Sequence, residues 1–297
     1  MVQVIWGLLV VMLVWYVYVF GKDVWQHRDE LEDSSWIKSG LIGGFVNFFD
    51  VLGIGAFAPQ AALLKFTKET KDRVIPGTMN VANTVPVLLQ ALIFIKAVEV
   101  EVVTLVAMLV SATLGAVVGA GIVAKLPEKK VQLTMGVALF ITAIVMLASL
   151  LGLMPVGGEA IGLTGVKLVF AVAINFVLGA LMTAGVGLYS PCMALIFMLG
   201  MSPLVAFPIM MGSCAFLMPP ASVKFIKEKA YNRKAALAMA IPGSIAVLVA
   251  AFVVKSLPLD VLRWVVVVVV IYTGTVMLKS GLKNKGTNEV VGDIIEG

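Results

Sequence analysis

The 297-residue chain is 61% hydrophobic and 13% charged, with a mean hydropathy of +1.06. So few polar side chains cannot cover a water-facing surface, which excludes a soluble domain. The formal charge of +5 comes from Lys and Arg between apolar segments, where it sets orientation in a bilayer, and no soluble basic domain exists to bind nucleic acid.

In chain order, apolar stretches long enough to cross ~30 Å of hydrocarbon, about 20 residues each, run over 2–20, 74–95, 102–124, 131–151, 204–223, 235–254 and 261–278. Two more, 37–64 and 168–200, are interrupted by Gly and Pro. The first stretch lacks a basic start and ends in Trp15, Tyr16, Tyr18 and Phe20 instead of a small-residue cleavage site. It reads as a retained helix with an interfacial aromatic belt, not a signal peptide. Cys192 and Cys214 are the only cysteines and both fall in apolar segments, so they form no disulfide framework and no zinc pattern. The one histidine, His27, lies in a loop, and no metal site or cofactor is expected.

Gly53, Gly55, Pro59, Pro76, Leu126 and Pro127 recur 131 or 132 positions later at Gly185, Gly187, Pro191, Pro208, Leu257 and Pro258. The chain is therefore expected to be an all-α polytopic membrane protein built from two repeats. Its predicted parts are an extra N-terminal transmembrane helix (1–20), a cytoplasmic loop (21–36), repeat 1 (37–151), a linker (152–166), repeat 2 (167–282) and a C-terminal tail (283–297). If 37–64 and 168–200 each enter and leave on one side as re-entrant hairpins, 21–39, 65–73, 125–130, 224–234 and 279–285 share a face and hold 18 of the 22 Lys and Arg. The positive-inside rule favours that arrangement over one in which all nine stretches simply cross. A hairpin plus three crossings is an odd number of passages, so the second repeat is expected to be inverted relative to the first. Full but broken helices are the other form these two segments could take.

Gly and Pro breaking a hydrophobic segment at matching places in two halves point to a transporter binding site. Ser190 before Pro191 resembles an N-cap followed by a first-turn proline, and Ala58 before Pro59 repeats it without the cap oxygen. Helices starting at Pro59 and Pro191 would aim free amides and partial positive charge inward, which suits a small anion. The candidate substrate-binding residues are Gly53, Gly55, Gln60, Asn80, Asn83, Gly185, Gly187, Ser190 and Cys192. Asp50 is the one acid deep in an apolar segment and the candidate for proton coupling. Each has a plainer reading: close helix packing for the glycines, interhelical hydrogen bonds for the asparagines, apolar packing for the cysteine and local capping for Asp50.

Twin four-element repeats, each opening with a Gly-rich broken segment followed by a polar second helix, resemble the TauE/SafE sulfite exporter family. The likeness rests on GIGAFAP (53–59) and GVGLYSP (185–191) and covers roughly residues 37–282, leaving the first helix and the 21–39 loop outside it. It implies a secondary transporter, usually an exporter, of sulfite or a small sulfonate across the cell inner membrane, with no enzymatic activity. An anion channel, or a thiol redox enzyme using the two cysteines, are the alternatives.

Overall fold

The computed structural model describes residues 2–51, 55–94, 100–153, 157–253 and 260–284. They form eleven α-helices: α1 (Val2–Gln26), α2 (Trp36–Val51), α3 (Phe57–Thr67), α4 (Ile75–Phe94), α5 (Val102–Val123), α6 (Glu128–Leu150), α7 (Gly165–Thr183), α8 (Tyr189–Met198), α9 (Pro203–Lys227), α10 (Arg233–Val253) and α11 (Asp260–Lys283). Eight of these, all except α2, α3 and α8, are long and apolar enough to cross a membrane. One is α7, expected from sequence as an arm of a hairpin; its 19 residues span about 28 Å at 1.5 Å per residue.

The two broken segments fold back on themselves. At the mouth of the first, the Ser34 hydroxyl donates to the Glu69 carbonyl at 2.9 Å and the Ser35 amide to the Glu69 carboxylate at 2.6 Å. The end of α3 thus returns to the start of α2. At the mouth of the second, the Gly158 amide donates to the Met201 carbonyl at 2.9 Å, and Lys167 Nζ reaches the Leu199 carbonyl at 3.3 Å. The end of α8 returns to the start of α7 in the same way.

Each mouth joins a different set of loops. The first meets the α9–α10 loop, where Asn232 Nδ2 donates to the Ser34 hydroxyl at 2.7 Å and its amide to Thr78 Oγ1 at 2.9 Å. Beside it, Asp23 accepts from Tyr231 at 2.5 Å and from Arg233 Nε at 2.8 Å, and Glu32 accepts the Arg233 amide at 2.9 Å. Burial and the hydrogen bond to Asp23 hold the Tyr231 hydroxyl above the ordinary tyrosine range. Lys125 meets Glu228 at 3.8 Å, Gln132 meets Asp72 at 2.8 Å, and Gly281 packs on Leu133. The five basic segments of the sequence are therefore neighbours at one end of the bundle. The second mouth lies instead beside the start of α5, where the Glu101 amide donates to the Ile161 carbonyl at 3.0 Å and Leu163 to Thr104 Oγ1 at 2.8 Å. Glu101 also caps α5, accepting from the Val103 and Thr104 amides.

Helix pairing exchanges partners between the halves: α2 packs on α10 and its counterpart α7 on α5, while α4 meets α9 and α6 meets α11. Without a hydrophobic driving force between helices in lipid, close backbone approach supplies the attraction, so small residues line these contacts. A Cβ at Gly43 would fall 2.3 Å from the Met239 carbonyl oxygen, and one at Gly115 would fall 1.9 Å from that of Phe176. The helix α1 lies across α4 and α9; Tyr16 donates to the Val81 carbonyl at 2.7 Å and Trp6 Nε1 to that of Leu92 at 3.0 Å.

Gly115→Val should separate α5 from α7 and cost at least ~1–3 kcal/mol. Size-exclusion and thermal-melt traces in detergent should show little folded protein, whereas Gly7→Val, with open space around its Cβ, should match the parent. Equal behaviour of the two variants would contradict the tight α5–α7 contact.

Candidate functional site

The short helices α3 and α8 begin inside the bundle and face one space. Gly55, Ala56 and Phe57 and their repeat equivalents Gly187, Leu188 and Tyr189 line a cavity of about 40 Å³, completed by Asp50, Ala58, Val87, Thr142, Met146, Met182 and Cys214. That is room for a few waters or one small ion. Among the described residues, no Lys, Arg or His lines it. The turns into both helices use left-handed backbone, with φ +89° at Gly55 and +107° at Gly185, where a side chain is strained.

The two helix starts are finished differently. Asp50, at the end of α2, is 4% exposed; its Oδ1 accepts the Ala56 amide at 2.7 Å, in front of α3. Its Oδ2 accepts from Gln90 Nε2 at 2.6 Å, and Gln90 Oε1 accepts the Tyr189 hydroxyl at 3.4 Å. One chain of hydrogen bonds thus connects the start of α3 to the first residue of α8. The residue 132 positions after Asp50 is Met182, whose sulfur lies 3.8 Å from Cys214 Sγ. Among the described residues, no side chain caps α8.

Among the residues singled out from sequence, Asp50, Gly55 and Gly187 line this cavity. Gly53 lies outside the described residues, as does the side chain of Ser190. The helices open two residues earlier than expected, at Phe57 and Tyr189, with Ala56 and Leu188 as N-caps. Pro59 and Pro191 therefore occupy the third helical position, and Ser190 the second instead of the cap. The prolines remain tolerated because the first four helical amides lack intrahelical partners anyway.

The asparagines face a separate, fully buried network. Asn47 donates to the Gly43 carbonyl at 2.9 Å and to Asn83 Oδ1 at 3.0 Å; Asn83 donates to Gln60, and Gln60 to the Met239 sulfur at 3.2 Å. Asn80 donates to the Pro76 carbonyl at 2.8 Å. These side chains tie α2, α3, α4 and α10 together, the interhelical role that polar residues take in membranes. Gly185 packs against Met135 and Met79. Cys192 and Cys214 are buried free thiols. Gln90, Tyr189 and Met182 were missed from sequence. Gln90 is a lone polar residue in the apolar run 85–95, and Tyr189 stands at the repeat position of Phe57 with one added hydroxyl, so both carried a readable signal.

Helices able to span a bilayer, enclosing a small cavity between two broken segments, make this a polytopic membrane protein of the transporter class. The chain belongs to the sulfite exporter TauE/SafE family, which matches residues 1–146 and 167–294; its members are membrane transporters of sulfur anions and not enzymes. The match starts at residue 1, so α1, expected from sequence to lie outside the likeness, falls within it. No curated protein and no solved structure matches the chain.

Gln90→Leu removes a donor from a buried carboxylate and should cost about 1–3 kcal/mol, lowering the melting temperature in detergent. Tyr189→Phe, which loses one long hydrogen bond, should cost under ~1 kcal/mol. Unchanged melting of Gln90→Leu would argue that Asp50 does not depend on it.

Proposed function

We propose that the protein is a secondary transporter, working as an exporter, of a small sulfur oxyanion such as sulfite or a sulfonate in the cell inner membrane. The observation that carries this reading is that equivalent residues of both halves, Gly55–Phe57 and Gly187–Tyr189, line a single cavity. Two helix N-termini then face the same anion near the middle of the membrane. Backbone amides and partial positive charge attract it there without a buried Lys or Arg, whose desolvation would cost several kcal/mol.

Alternating access follows from one group of packed helices, with α2 on α10, rocking against another, with α5 on α7, around this site. An inverted repeat is supported by the two hairpin mouths, which join different sets of loops: the first meets 231–233 and the second meets 101 and 161–163. With the basic segments around the first mouth, the positive-inside rule puts that end in the cytoplasm. Asp50 lines the cavity and is the acid available to couple a proton to transport.

Gly187 has open space around its Cβ position and needs no left-handed backbone, so Gly187→Val should fold normally while filling part of the cavity. Sulfite or methanesulfonate binding by calorimetry and counterflow in vesicles should fall at least tenfold, about 1.4 kcal/mol. Normal binding by this variant would place the anion elsewhere. In a background lacking Cys192 and Cys214, Lys71→Cys, Lys130→Cys and Lys227→Cys should be labelled from the cytoplasmic side and Glu159→Cys from the outside. Labelling of positions 71 and 227 from opposite sides would rule out the inverted arrangement.

A further inference from the structure

A carboxylate already sits where the transported anion should go. Asp50 is buried in the wall of the cavity and accepts the amide at the start of α3, so while it is ionised this helix end is neutralised by the protein's own charge. The start of α8, with Met182 in the place of Asp50, is not. A second anion entering beside an ionised Asp50 meets like-charge repulsion, with no Lys, Arg or His among the described lining residues to offset it. The other titratable groups facing this space are Tyr189 on α8 and Cys214 on α9. The helices α3, α4 and α10, packed around α2, add no charged side chain to the lining.

Hydrogen-bond chemistry determines what a proton on Asp50 would change. An ionised carboxylate only accepts, so both its oxygens are met by donors, Ala56 N–H and Gln90 Nε2. Gln90 must then turn its carbonyl to Tyr189, whose hydroxyl donates to it. Once Asp50 Oδ2 carries a proton it becomes a donor, and two donors cannot face each other. Gln90 must rotate its amide to present the carbonyl to Asp50 and its NH2 to Tyr189. The Tyr189 hydroxyl now accepts from Gln90 and its own hydrogen is freed to donate into the cavity, at the first residue of α8.

Resting on the transport reading above, we propose that Asp50, Gln90 and Tyr189 form a proton-linked switch: the cavity takes up an oxyanion when Asp50 gains a proton, and Tyr189 then donates to that anion. One proton is bound per anion, no covalent bond of the anion changes, and a monoanion moves with its proton as a neutral pair. Gln90 is a positioning residue and Tyr189 a substrate contact.

The test uses the purified full chain in detergent, with methanesulfonate, which keeps one negative charge from acidic to mildly alkaline pH, and sulfite as a second probe. Methanesulfonate affinity of the parent protein should fall by up to about tenfold per pH unit as Asp50 ionises. Calorimetry in buffers of different ionisation heat should count about one proton taken up per anion at the alkaline end. Asp50→Asn, which keeps an amide donor and carries no charge, should bind with affinity independent of pH. Tyr189→Phe should weaken binding at acidic pH several-fold. A pH-independent affinity with no proton uptake in the parent overturns the switch, and that measurement needs no variant to fold. The same pH slope in Asp50→Asn as in the parent also overturns it, while leaving anion binding at the cavity intact. If neither probe binds either protein at any pH, the transport reading itself fails and the switch with it.

Discussion

A bilayer offers no water to backbone groups that leave a helix, so each broken segment must find its partners within the protein. The whole interior is organised by that requirement. The chain is outside helical geometry at 55–56 and again at 184–188, and the amide of Ala56 is met by Asp50. Asp50 in turn needs Gln90, and Gln90 meets Tyr189, so satisfying one broken segment brings the second into the same hydrogen-bonded chain. The cavity lies where these demands converge.

Duplication supplies the frame, and divergence between the copies supplies the chemistry. Within the hairpin segments, residues 132 apart exchange roles: Gly43 and Asn47 in α2 correspond to Asn175 and Gly179 in α7. In each half a glycine lets the neighbouring helix close in, while an asparagine donates to backbone: Asn47 to Gly43 and Asn175 to Met108 at 2.8 Å. The pairs Asp50 and Met182, and Phe57 and Tyr189, break the symmetry where it bears on charge. A strictly symmetric cavity would present two acids or none.

Much of the fold could be read directly from sequence, because its determinants are periodic or duplicated. The broken segments were marked by Gly and Pro at a constant offset, and the shared end of the basic segments by the distribution of Lys and Arg. The site was only partly readable. Asp50, Gly55 and Gly187 reach the cavity, but Asn80, Asn83 and Gln60, polar residues equally conspicuous in apolar surroundings, form hydrogen bonds with one another or with backbone. Composition cannot distinguish a side chain that joins helices from one that faces a ligand, since both arise from the same need to pair a buried polar group. The helix starts were misplaced by two residues because a proline is equally acceptable anywhere among the first unpaired amides. The first helix looked like an addition because its bonds, Tyr16 to Val81 and Trp6 to Leu92, use backbone acceptors that leave no mark on the partner sequence.

The exchange of partners between halves also bears on how the protein is made. The arm α2 is seated on α10, and Asp23 is bonded to Arg233, 210 residues further along the chain. When the first half has entered the membrane, the close-packing face of α2 around Gly43 still lacks α10, and Asp23 and Glu32 still lack Arg233. Neither half is a finished unit that later docks with the other. Assembly is completed from the last third of the chain backwards, so translation must run nearly to its end before the earliest helices are secured.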